Sequence, residues 1–247
     1  LPNAFRVAFD SGNATSAIFG IADYDYVDRR SIILSAVRPL AGRFGSAVRI
    51  DAGLVDDDNA RVSMPRALVG REQFRANRLV LEGRYARTAL TVDWRSDVNG
   101  DLMRVGYGGR AYYERGDGDL RYQRIELRGA TRWNSGRVTI AARADVGQVF
   151  GRVIPPQQIF EIGSSEAFPG YGFKEFAGDR AMLFRGIVMY RLNAWNVPVP
   201  ITRRLWLPNP APARALGVQA GWTEMSTQAA RTAIEALNAV DPRQQAL

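Results

Sequence analysis

In the stretch GRVTIAARADVGQVF, residues 136–150, side chains sort by parity. Val138, Ile140, Ala142, Ala144, Val146 and Phe150 fall on one face, and Thr139, Arg143, Asp145 and Gly147 on the other. A period of two is that of a β-strand with one apolar and one polar side, and a one-residue slip would exchange the faces. Residues 101–114 repeat the pattern, with Met103, Val105, Tyr107, Ala111 and Tyr113 against Arg104, Arg110 and Glu114. In residues 43–54, Phe44, Val48, Ile50 and Leu54 oppose Arg49 and Asp51.

Extending outward, the same alternation, ended each time by a Gly, Asn or Asp cluster, predicts further strands at 4–9, 15–26, 29–40, 76–94, 119–133, 180–192 and 213–224. With the three above, that makes ten. Segment 76–94 is ambiguous: Leu79, Leu81 and Tyr85 share one parity and Leu90, Val92 and Trp94 the other, so it reads as one bulged strand or two short ones. Connections 10–14, 40–42, 96–100 and 134–136 fall on one side and are short; 27–28, 55–73, 115–118 and 151–179 fall on the other, two of them long. Short turns opposite longer loops are the arrangement of an outer-membrane barrel. Residues 193–212 hold five prolines (Pro198, Pro200, Pro208, Pro210 and Pro212) and read as an extended connector, whose Trp195 and Trp206 suit either a headgroup layer or the cap of a soluble core. Within 225–247, the Ala-rich run 227–240 spaces Ala230, Ile234 and Leu237 as a short amphipathic helix, read as a loop insertion.

Composition narrows the class. The chain of 247 residues is 46% apolar and 10% aromatic, with 24 glycines, yet its longest uncharged run, residues 11–22, is only 12 residues. A bilayer-spanning helix needs about 20 apolar residues. A strand-built membrane protein is not excluded, because its inward positions are polar. The net charge of +8 raises nucleic acid as a partner, but Lys174 is the single lysine and the arginines are scattered along strand-like segments rather than clustered, which argues against it. Arginine inside a barrel, or at its rim against anionic headgroups, is the alternative. The chain opens Leu1-Pro2 without a Met or a signal segment and is expected to be part of a longer precursor.

Most site chemistry is excluded by what is missing. Without histidine or cysteine there is no Ser-His-Asp triad, no thiolate nucleophile and no His- or Cys-ligated metal. Gly106, Gly108 and Gly109 fall inside a predicted strand rather than opening a helix, so they mark a bend or close packing and not a phosphate loop. The run Asp56, Asp57, Asp58, Asn59 lacks the Gly and distal Glu of a calcium loop and reads as a solvated outer loop. No cofactor, no metal site and no catalysis is expected.

Residues 168–185, FPGYGFKEFAGDRAMLFR, carry a resemblance. The aromatic Gly-rich run Phe168, Pro169, Gly170, Tyr171, Gly172, Phe173, Lys174, Glu175, Phe176, followed by Gly178, Asp179 and Arg180 at the start of a strand, is similar to the loop of the bacterial surface antigen family, the BamA/TamA-type outer-membrane β-barrels that insert or export other proteins. The resemblance is strongest over 155–192. It implies an all-β fold: a fragment of about ten strands of an antiparallel transmembrane barrel of sixteen, running from near the fourth strand to the thirteenth, with 151–179 as a loop turned into the lumen. In that family the loop tip carries an Arg that faces an acid on the strand after next. Here Pro169 holds the Arg position and Gln219, in Gln219, Ala220, Gly221, holds the acid's. Losing both partners of a buried pair is nearly neutral, whereas losing one leaves a stranded charge. Tyr171, Phe173, Lys174 and Glu175 are then expected to meet lumen walls lined by Arg143, Asp145 and Arg185, with Gln219 also facing inward.

The function implied is an outer-membrane assembly or translocation factor, working without covalent catalysis on an unfolded client protein. Its surroundings would be outer-membrane lipid and lipopolysaccharide, with periplasmic docking domains or accessory proteins as further partners. A barrel that anchors or exports a fused enzyme domain, a passive pore, and a soluble β-sandwich stand as alternatives.

Overall fold

The computed structural model describes residues 27–40, 45–60, 78–100, 104–163, 171, 175–193, 199–201, 206–207 and 212–238. Eight long strands form one antiparallel sheet: β1 (Val27–Pro39), β2 (Ala47–Asn59), β3 (Gly83–Trp94), β4 (Gly106–Gly118), β5 (Tyr122–Ser135), β6 (Val138–Phe150), β9 (Arg180–Arg191) and β12 (Ala213–Glu224). They lie side by side in sequence order, each paired with the next. Two small ladders complete the strands: β7 (Phe160–Ile162) with β8 (Phe176–Gly178), and β10 (Val199–Pro200) with β11 (Trp206–Leu207). Among the described residues β1 and β12 have one unpaired edge each, and the sheet is open between them. The strands expected at 4–9 and 15–26 lie outside the described residues.

Register shows why alternation governs this sheet. Leu54 lies opposite Ile32 and Ala86; Leu90 opposite Ile50 and Tyr113; Leu127 opposite Ala111 and Val146; Met182 opposite Val146 and Trp222. One apolar row runs through seven strands, Val48, Val92, Ala111, Leu127, Val146, Met182 and Trp222, and ends at Arg38 of β1, and this face is bare. Leu127 on a central strand is 51% exposed, while Arg124 on the opposite face of the same strand is 3% exposed. The order of burial is inverted relative to a sheet folded in water, where the apolar face is covered. No helix among the described residues is long and apolar enough to cross a membrane, which says nothing of strands.

One expectation is corrected. Residues 56–59 are the end of β2 and not a solvated loop: Asp57 is fully buried and grips Arg29 through both carboxylate oxygens at 2.6 and 2.7 Å. The sides read for these connections hold: 60–82, 119–121 and 151–179 lie at one end of the sheet, and 40–46, 95–105 and 136–137 at the other. The long Pro-rich 192–212, read as a connector without a side, joins that second end, which is therefore not made of short turns alone. That Pro-rich connector folds back on itself through the β10–β11 ladder, with Val199 opposite Leu207 and Pro200 opposite Trp206.

The ambiguity at 76–94 resolves to a single strand with no bulge. Leu79 and Leu81 precede β3, and Tyr85 simply points to the polar face, where its ring meets that of Tyr122 edge-on at 5.9 Å. Gly106, Gly108 and Gly109 lie in β4 as read. At the turn between β3 and β4, Arg95 and Arg104 flank Asp97, and the hydrogen bond from Arg95 holds that carboxyl below its usual range.

Candidate functional site: a segment docked on the polar face

Residues 154–162 leave β6 and cross the charged face of the sheet. Every residue from Ile154 to Ile162 is buried, unusual for a connection, since buried irregular backbone must find hydrogen-bond partners away from water. Pro155 and Pro156 fix an extended entry into a single 3-10 turn, Pro156–Gln158, and remove two backbone donors that would need partners. The two glutamines after them supply the remaining bonds through their side chains. Gln157 Nε2 donates to the Leu81 carbonyl at 2.9 Å and to Asp57 at 3.3 Å, while its Oε1 accepts from the Leu81 N–H at 3.1 Å. One amide side chain thereby pairs with both backbone groups of Leu81, as a neighbouring strand would.

Gln158 ties the segment to the centre of the polar face. Its backbone carbonyl accepts from Arg124 Nη1 at 2.8 Å, and its Nε2 donates to the Tyr122 hydroxyl at 3.1 Å. Tyr122 in turn donates to Glu114 Oε1 at 2.6 Å. The other oxygen of Glu114 accepts from Arg87 Nε at 2.7 Å and from the Tyr112 hydroxyl. The Arg124 guanidinium lies 4.2 Å from the centroid of the Phe160 ring, and Glu161 pairs with Arg78. A buried charge is costly unless paired and hydrogen-bonded, and these carboxylates and guanidiniums meet that condition.

Packing reinforces the polar contacts. Ile154, Ile159, Phe160 and Ile162 form one apolar cluster with Val149, Ala181 and Leu183 of the sheet and with Ala230 and Ala233 of the helix Gln228–Asn238. That helix is capped by Thr227, whose Oγ1 accepts from the Ala230 N–H at 3.1 Å. The Ala-rich run read as a loop insertion is therefore a lid on the docked segment, with Ala230 and Ile234 facing it as their spacing predicts. Phe160 sits over Gly147, where a Cβ would lie 2.4 Å from the ring, so the ring needs a glycine beneath it.

The Gly-Asp-Arg step has its own geometry. A Cβ on Gly178 would lie 2.4 Å from the Glu224 carbonyl oxygen, so only glycine lets β8 pass that close to the end of β12. Asp179, 1% exposed, accepts from the Ser226 N–H at 2.7 Å and from Ser226 Oγ at 2.5 Å, while its own carbonyl accepts from Val149 N–H at 2.8 Å. Arg180 pairs with Glu224 at 3.2 Å. Three consecutive residues thus fasten the start of β9 to β6, to the end of β12 and to the lead-in of the helix.

No protein-family model matches this chain, and no curated protein matches it.

The remaining predicted residues divide by position. Phe168, Pro169, Gly170, Gly172, Phe173 and Lys174 lie outside the described residues. Tyr171 and Glu175 are exposed, and the Tyr171 ring meets Phe176 edge-on at 5.1 Å. Arg143, Asp145 and Arg185 share the polar face, with Arg143 opposite Arg185 in register; Gln219 lies opposite Arg185 on the other side and is exposed on the edge strand β12. The residues that dock were not singled out from sequence. Their signal is there in IPPQQIFEI, residues 154–162, which carries a single charge.

Proposed function

We propose that this chain is the wall of an outer-membrane β-barrel of the BamA/TamA type, which assists insertion or export of a client protein and uses no covalent chemistry. The observation that carries the proposal is the inversion of the sheet: an apolar face bare across eight strands and a charged face buried under residues 154–162. An apolar face of this extent marks a surface meant for lipid or a partner. Lipid is the fitting occupant, because Trp94, Trp133 and Trp222 all stand on that face with Leu and Val between them. Closure of the sheet would remove the unpaired edges of β1 and β12.

The docked segment separates this reading from a passive pore, since it occupies space that a pore would leave to water. The likeness of residues 168–185 to the surface antigen loop supports assembly or translocation over other barrel functions. The test is to place the full chain in vesicles containing bromine-labelled lipid acyl chains and to read tryptophan quenching. Strong quenching that falls on removing Trp133 and Trp222 is expected. A monomer in detergent-free buffer with unquenched tryptophans would overturn the membrane reading, and an intact barrel that leaves client insertion unchanged on depletion would overturn the assembly reading.

A further inference from the structure

Beyond residues 154–162, toward the end of the sheet that carries the turn 136–137, the polar face changes character. Arg128 of β5, Arg143 of β6 and Arg185 of β9 come together there around one carboxylate, Asp145. Asp145 is fully buried and already engaged: Oδ1 accepts from Arg128 Nε at 2.6 Å and from Arg143 Nη2 at 3.2 Å, and Oδ2 from Arg143 Nε at 2.8 Å. Among the described residues, three guanidinium charges thus face one carboxylate.

Among the described residues, no other carboxylate is bonded to Arg128, Arg143 or Arg185. Asp93, in the next part of the face, is held by Arg110 at 2.6 and 3.2 Å. Among the described residues Arg185 has no ion pair, and its Nε is buried without a hydrogen-bond partner. The charges acting on it are Asp145, which attracts, and Arg143 and Arg128, which repel. Its register neighbour on β12 is the neutral Gln219. Arg128 and Arg143 keep only 13% and 18% of their side-chain surface, so water screens their repulsion poorly. A cluster of like charges withdrawn from water persists where a counter-charge joins it.

We infer that Arg128, Arg143 and Arg185 bind a small tetrahedral oxyanion of the phosphate or sulfate class on the part of the polar face beyond residues 154–162. The guanidinium fork matches such oxygens, and Arg128 bonds Asp145 through Nε alone, leaving its Nη groups as donors. A single carboxylate has oxygens for two forks; a tetrahedral oxyanion has enough for three. The inference does not depend on the membrane reading, since the cluster is a property of the folded sheet.

The test is the thermal midpoint of the full chain in detergent, titrated with inorganic phosphate at ionic strength held constant with potassium chloride. A saturable rise at low phosphate is expected, with sodium sulfate acting alike. Arg185→Gln should weaken the apparent affinity by roughly tenfold or more, the loss of one charge-assisted contact. Arg152→Gln, on an exposed arginine away from the cluster, should leave the titration unchanged. Salt exclusion stabilises without saturating, so a linear rise, or equal shifts in phosphate and chloride, would overturn the site. Phosphorus NMR line broadening of phosphate by the wild-type chain, released by sulfate, gives a readout that needs no variant; a line left sharp would also overturn it.

Discussion

The two faces of this sheet obey opposite rules although they share every strand. On the bare face little is required of a side chain beyond being apolar: Ile, Leu, Val, Met and Trp follow one another across the rows, and Tyr113 donates to Gln123 at 3.2 Å. On the covered face the carboxylates answer to named partners, as Glu114 does to Arg87, Tyr112 and Tyr122, and Asp57 to Arg29, Tyr85 and Gln157. The difference teaches that specificity of fold resides in the polar side. An apolar face set against lipid tolerates exchange, while a buried ionic network fails when one member is removed.

The sharpest way to break that contrast is Glu114→Ala. It strands Arg87 and leaves two tyrosine hydroxyls without their acceptor, so a loss of about 3–5 kcal/mol is expected from equilibrium unfolding of the full chain in detergent. Exchanging Leu127 for Ile on the bare face should move the same measurement by less than about 1.5 kcal/mol. If the two substitutions cost the same, the assignment of specificity to the polar face fails. Leu127→Arg then asks what the bare face is for. In a bilayer it should cost about 2–4 kcal/mol, and close to nothing if the face meets water.

How much of this was legible in the sequence follows from the same contrast. Alternation is a local signal, so the parity of Val138 to Phe150, of Tyr107 to Glu114 and of Val48 to Leu54 carried over to the sheet unchanged, and eight strands stand where strands were read. Ends were less legible: β4 begins at Gly106 rather than 101, and β2 continues through Asp57 to Asn59, because a carboxylate that pairs across the sheet with Arg29 looks, in sequence alone, like one in water. Docking is less legible still. Residues 168–175 stand out through their glycines and aromatics, while among the described residues bonds that hold the connection to the sheet come from Gln157 and Gln158, whose partners Leu81 and Tyr122 lie 76 and 36 residues away. No spacing rule reaches across such distances.

The fit between segment and sheet can be tested from below. Gly147→Ala places a methyl group where the Phe160 ring stands, and overpacking of that kind costs about 1–3 kcal/mol. The expected sign of displacement is faster proteolysis within 154–162 while the strands stay protected. Phe160→Leu in the same chain should recover part of the loss by making room. Recovery that does not occur would mean that Gly147 matters for the strand itself and not for what lies on it.

A last test concerns the Gly-Asp-Arg step. Ser226→Ala deletes the hydroxyl that donates to Asp179 but keeps the Ser226 backbone N–H on the other carboxylate oxygen. Asp179 stays partly satisfied, so the cost should be near that of one hydrogen bond to a charged group, about 1.5–3 kcal/mol at most and less if water enters. Asp179→Ala, by contrast, leaves a buried N–H and a hydroxyl without their acceptor and should exceed it. The ordering of the two, read in one unfolding series, decides whether Asp179 acts as the fastener of β9 to the helix lead-in. Were Ser226→Ala the more damaging, the helix would be held by Ser226 for some other reason, and the motif's acid would owe its place to the Val149 contact of its backbone alone.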